Sequence, residues 1–138
     1  MYYDRLKARV KTAVAVKEAQ KADRIDILDL IAPCYHPLHD EVMTGAYTTF
    51  HLPGGRGSCK SSFVSLEMVN GVMNDPKANG IVFRRVAGTM RESVYSQIAW
   101  AIEELGVSAL WRGSVSPMQF TYKPTGQQIL FRGLDDSA

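Results

Sequence analysis

Apolar residues recur along this chain in two rhythms, and each change of rhythm marks an element. Residues 4–22 (DRLKARVKTAVAVKEAQKA) favour helix, with Leu6, Val10, Ala13 and Val14 forming a narrow apolar stripe. A second short amphipathic piece runs through Ile25, Leu28 and Ile31 and stops before Pro33, after which CYHPLHDEVMTG reads as an irregular connector. AYTTFHL (46–52), rich in aromatic and β-branched residues, predicts a strand that runs into the glycines between Gly54 and Gly57. Beyond them Phe63, Leu66, Val69 and Met73 return at helical spacing, and Asn74-Asp75-Pro76 ends that helix. GIVFRRV (80–86) predicts a short strand of the buried kind. Thr89 to Glu92 has the form of a capping box opening a helix lined by Val94, Ile98, Ile102 and Leu105 and stopped by Gly106. MQFTYKPTGQQILFRG predicts two strands joined at Lys123-Pro124-Thr125-Gly126.

Strand–helix–strand repetition of this kind predicts an α/β domain on a mainly parallel sheet flanked by helices, with a β-hairpin near the C-terminus. Two segments follow: an N-terminal helical segment, 1–32, and the α/β domain, 33–138. The final LDDSA follows a strand with no polar linker, as expected of an incomplete domain cut from a larger protein.

Composition narrows the function only slightly. The 138 residues fit one domain with a real core, and a formal charge of +2 is too small to demand a nucleic-acid partner. That charge is uneven: residues 1–24 hold seven Lys/Arg against Asp4, Glu18 and Asp23. Such a face suits phosphates or an acidic protein surface, or is simply solvated. No apolar run approaches the ~18 residues of a membrane span, and the start lacks a signal peptide's apolar core. Cys34 and Cys59 make no disulfide framework, so a reducing cytoplasm is expected.

The candidate chemistry lies in FHLPGGRGSCKSSF, residues 50–63. A phosphate loop needs converging backbone N–H groups, a helix N-terminus aimed at the anion, a Lys for the β/γ-phosphates and a Ser or Thr for Mg²⁺. Gly54, Gly55, Arg56, Gly57, Ser58, Cys59, Lys60, Ser61 and Ser62 supply all of these, departing from G-x-x-x-x-G-K-[ST] only at Cys59. The plain alternative is a strand-to-helix turn with a surface lysine. Cys59 reads either as a tolerated small side chain or, beside Lys60 at a helix start, as an oxidisable thiol that switches nucleotide binding. Arg56 suits contact with a γ-phosphate as a finger in cis, or faces water. Arg84 and Arg85 follow a strand at the sheet's carboxyl end, where α/β proteins place ligands. Cys34, His36 and His39 lack a fourth ligand and a second cluster, so they read as a structured loop rather than a zinc site. His51 reads as a strand residue, and no nucleophile–base triad or base-stacking platform is arguable.

Three ordered blocks, GGRGSCKSSF, VFRRVAGTMRESVYSQIAWAIEELG and SPMQFTYKPTGQQILFRGLDD, resemble the N-terminal ATPase domain of phage terminase large subunits, especially the PBSX-like group, over roughly residues 30–136. The resemblance implies a P-loop NTPase-type fold. In such proteins an ATPase domain drives DNA into the procapsid, and a C-terminal nuclease domain with an RNase H-like fold cuts it. It further implies that Gly54–Ser62 is the Walker A loop, with Lys60 the phosphate ligand, Ser61 the Mg²⁺ ligand and Arg56 the loop's basic residue. Tyr35 and His36, within Tyr35–His39, would approach the adenine. Arg84, Arg85, Arg91 and Arg132 would sense phosphate or reach a neighbouring subunit.

The implied function is the ATP-binding part of a bacteriophage DNA-packaging motor acting in the host cytoplasm. Implied partners are duplex DNA, the portal protein, the small terminase subunit and further copies in a homo-oligomer, with no membrane. Two departures stand against full activity: Cys59 replaces a glycine, and no apolar strand ending in paired acids follows. The expectation is ATP and Mg²⁺ binding with little turnover, and the rivals are a truncated non-catalytic nucleotide- or motor-subunit-binding module or another P-loop ATPase.

Overall fold

The computed structural model describes residues 2–135, with the backbone alone for residue 12 and residues 15–23. Five α-helices and four strands follow one another: α1 (Tyr2–Asp23), α2 (Ile27–Leu30), α3 (His36–Thr44), α4 (Lys60–Asn74), β1 (Gly80–Arg84), α5 (Ser96–Glu104), β2 (Trp111–Val115), β3 (Met118–Tyr122) and β4 (Gln127–Gly133). The strands form one sheet in the order β1-β4-β3-β2. β1 runs parallel to β4, with Gly80 opposite Ile129 and Arg84 opposite Gly133, whereas β4–β3 and β3–β2 are antiparallel. The sheet is therefore mixed and predominantly antiparallel among the described residues, not mainly parallel. The expected hairpin stands, with Gly126 at φ +77° closing its turn.

The core lies between one face of the sheet and the paired helices α4 and α5. Leu66, Val69, Leu105 and Ile129 are wholly buried there with Phe120 and Phe131. Close approach fixes some of these positions: a Cβ on Gly80 would stand 2.6 Å from Met68 Sδ. Gln127 is buried at the start of β4, where its amide donates to Val72 O at 2.9 Å and Asp75 O at 2.7 Å. It thereby satisfies the Val72 carbonyl at the end of α4 and adds a second donor to Asp75 O, which also accepts from Ala78 N–H at 3.0 Å.

Four local expectations are corrected. Residues 46–52 form no strand; they run as irregular backbone, with Tyr47 exposed and touching only Phe50 edge-on among described rings. Strand preference expresses fit to a half-buried pleated surface, and no described strand offers one here. The connector 34–45 is instead ordered, as a 3₁₀ turn (Pro33–Tyr35) followed by α3, with Gly45 in the left-handed region capping its end. The pair Thr89/Glu92 makes no capping box. Thr89 Oγ1 donates to Val86 O, and Arg91–Tyr95 forms a π-turn closed by Tyr95 N–H donating to Met90 O at 3.0 Å. Tyr95 stacks on Phe120 at 4.5 Å, so tertiary packing sets where this helix starts. Finally, β1 is half-buried rather than buried: Ile81 and Phe83 point to solvent from the uncovered face of the sheet.

Candidate functional site

Gly54 at φ +143° and Gly57 at φ +80° bend the loop through conformations that favour glycine. Cys59, at φ +58°, occupies the left-handed region without being glycine and immediately precedes α4. The chain thus curls, and the first turn of α4, whose leading N–H groups have no intrahelical acceptor, borders the concave side of the loop through Lys60, Ser61 and Ser62. A hollow of about 590 Å³ is lined by the loop from Gly54 to Ser62.

Lys60 is held inside this curve. Its ammonium donates to the carbonyl of Gly54, to Gly55 O at 3.1 Å and to Ser58 Oγ at 2.9 Å. Ser58 Oγ in turn donates to Gly55 O at 2.8 Å. The Cys59 thiol is exposed, 3.9 Å from Gly57 O, and does not fill the hollow. Arg56 is exposed at the tip of the loop.

Support comes from below. Tyr35 Oη donates to Ser58 O at 2.7 Å while its ring stacks on Phe63, 4.6 Å between centroids and 10° from parallel. Four residues on, buried His39 donates from Nδ1 to Oε1 of Glu67, fastening α3 to α4. Desolvation pushes the Glu67 carboxyl above its ordinary value of 4.5, against the opposing pull of the His39 hydrogen bond and charge. His36 turns the other way, its Nε2 donating to Leu28 O at 3.1 Å. Of the two residues expected near an adenine, Tyr35 is brought to the loop and His36 is not.

A second hollow, about 520 Å³, shares Lys60 and Ser61 with the first and continues between Leu52, α4 and β1. Arg84 forms part of its wall and donates to Ser93 Oγ. Arg85, Arg91 and Arg132 line neither hollow, which separates Arg84 from the other three candidates. Glu92 and Gln97 also line it, and neither was expected there. Glu92 reads as a capping residue in sequence, whereas in the fold it lies in the π-turn Arg91–Tyr95 and borders the hollow.

Fold and loop together define an α/β protein with a glycine-rich, lysine-bearing turn at a helix N-terminus. A sequence model of the phage terminase large subunit matches residues 47–138, and the chain belongs to that family. It is 34% identical over 113 residues to the terminase large subunit of Bacillus phage SPP1, covering 82% of this chain and 26% of the relative. It is 33% identical over 99 residues to the PBSX phage terminase large subunit of Bacillus subtilis (strain 168), covering 72% and 22%. The chain thus spans about a quarter of the length of these relatives. No solved structure matches it significantly. Among the described residues, no helix is long and apolar enough to cross a membrane.

Proposed function

We propose that this chain is the ATP-binding part of a phage DNA-packaging motor, with the triphosphate held by the loop from Gly54 to Ser62. The observation that carries the reading is the curled loop with Lys60 inside it and the first turn of α4 behind it. Loop amides and the helix N-terminus favour an anion, and Lys60 adds a formal charge. Ser61, at the junction of the two hollows, would hold Mg²⁺, which when bound neutralises charge on the β- and γ-phosphates. Arg56 and Arg84 approach from the loop tip and from β1. Tyr35 fixes the loop through Ser58 O and leaves its phenol committed to that bond.

Among the described residues lining the two hollows, Glu92 supplies the one carboxylate. Orienting an attacking water is therefore weakly provided for, and the chain binds Mg·ATP with slow turnover. In the longer protein, closure over ATP would move duplex DNA, alongside other copies, the portal protein and the small terminase subunit.

Titration of Mg·ATP into the wild-type chain and into Lys60→Ala tests the loop. The expected result is saturable binding weakened by about 10- to 100-fold on losing one charge-assisted contact. Equal affinities would remove the assignment.

A further inference from the structure

We propose that α1 is an arm that docks on the acidic surface of residues 25–45 in a second copy of this chain. Tyr3, Leu6, Val10 and Val14 form a stripe along one side of α1, and all four are exposed. With Lys7 and Lys11 they line a shallow groove. An apolar stripe on a helix ordinarily faces a core or a partner, and here no part of the described chain covers it.

The base of α1 is fastened to the body while its stripe stays exposed. Arg24 pins the base of α1 by donating to Asn74 Oδ1 at 3.1 Å and to Asn70 Oδ1, and Ile25 N–H donates to Leu105 O at 3.1 Å. At ~1.5 Å per residue a continuous helix carries Val14 about 14 Å and Tyr3 about 30 Å from Asp23. The stripe is thereby held away from the pinned end.

Charge selects the occupant. Residues 2–14 hold Arg5, Lys7, Arg9 and Lys11 against Asp4, whereas residues 25–45 hold Asp26, Asp29, Asp40 and Glu41 and no Lys or Arg. On that acidic stretch Ile25, Leu28 and Met43 are exposed, and the His36–Leu28 hydrogen bond holds α3 against α2. Each stretch therefore combines exposed apolar residues with charges, of opposite sign on the two. Pairing α1 with α1 would set like charges together, and DNA would leave the stripe facing water. The contact is head-to-tail, so it builds a ring or an open filament. It does not depend on the nucleotide reading.

Sedimentation velocity on the full chain, over a concentration series at low and high salt, tests this. The wild type should self-associate, more weakly at high salt. Leu6→Asp/Val10→Asp should sediment as monomer, with unchanged helical circular dichroism. Lys7→Glu/Lys11→Glu and Asp40→Lys/Glu41→Lys should each associate about tenfold or more weakly alone. An equimolar mixture of those two charge-reversed chains should associate like the wild type, since each offers the surface that the other's reversed surface now fits. A wild type that stays monomeric overturns the proposal. So does an arm variant that associates unchanged, or a mixture that fails to recover.

Discussion

The contact between His39 and Glu67 shows how a single pair is tuned by its surroundings. Burial disfavours the ionised carboxylate, and His39 only partly offsets this, so the folded chain holds the Glu67 proton more tightly than the unfolded chain does. The sign follows: this group's contribution is fully present below its ordinary value of 4.5 and is lost as pH rises through the raised folded value. Glu67→Gln keeps an acceptor for His39 and removes the titration. In urea unfolding at pH 4 to 7, the variant should gain on the wild type as pH rises. Glu67→Ala, which leaves His39 without its acceptor, should instead lose about 1–3 kcal/mol. At this scale the sequence exposed Lys60, Ser61 and the loop glycines, because their spacing is itself the motif. It concealed the Tyr35–Ser58 bond, the Tyr35–Phe63 stack and the position of Glu92, because each depends on residues brought together only by folding.

Elements were legible where a residue pattern and a stop signal agreed. α4 has apolar residues at helical spacing and ends at Asn74, and the β3–β4 hairpin carries its own turn glycine. Expectations failed where local pattern and tertiary partners disagreed. Residues 46–52 have strand-forming side chains but no strand to pair with, while α3 needs Gly45 and the His39–Glu67 contact, neither apparent as periodicity. β2, absent from the expected elements, has an exposed Gly113 at its centre and little alternation, and it exists through pairing with β3. Gln127 joins two elements at once. Gln127→Ala would leave the carbonyls of Val72 and Asp75 without this donor, and thermal or chemical unfolding should show a loss of about 1–3 kcal/mol.

Across the whole molecule, helices cover one face of the sheet and leave Ile81 and Phe83 bare on the other. An α/β class was readable from alternating helix and strand patterns. The antiparallel majority was not, since the expected strand at 46–52 is absent and β2, which adds the second antiparallel pairing, showed no strand pattern. The bare face should bind an environment-sensitive apolar dye. Phe83→Lys should reduce that fluorescence by about half or more, keep thermal stability within about 0.5 kcal/mol and leave charge-swap recovery at α1 intact. β1 is also the last strand on its side of the sheet, and its terminal Arg84 stands in the wall that Lys60 and Ser61 share. The sheet therefore acts as a ruler. Any extended segment that zips alongside β1 in the same direction, level with it, brings its final side chain to the height of Arg84. Whatever chemistry that side chain carries then stands beside the end of β1, where Arg84 helps to wall the hollow.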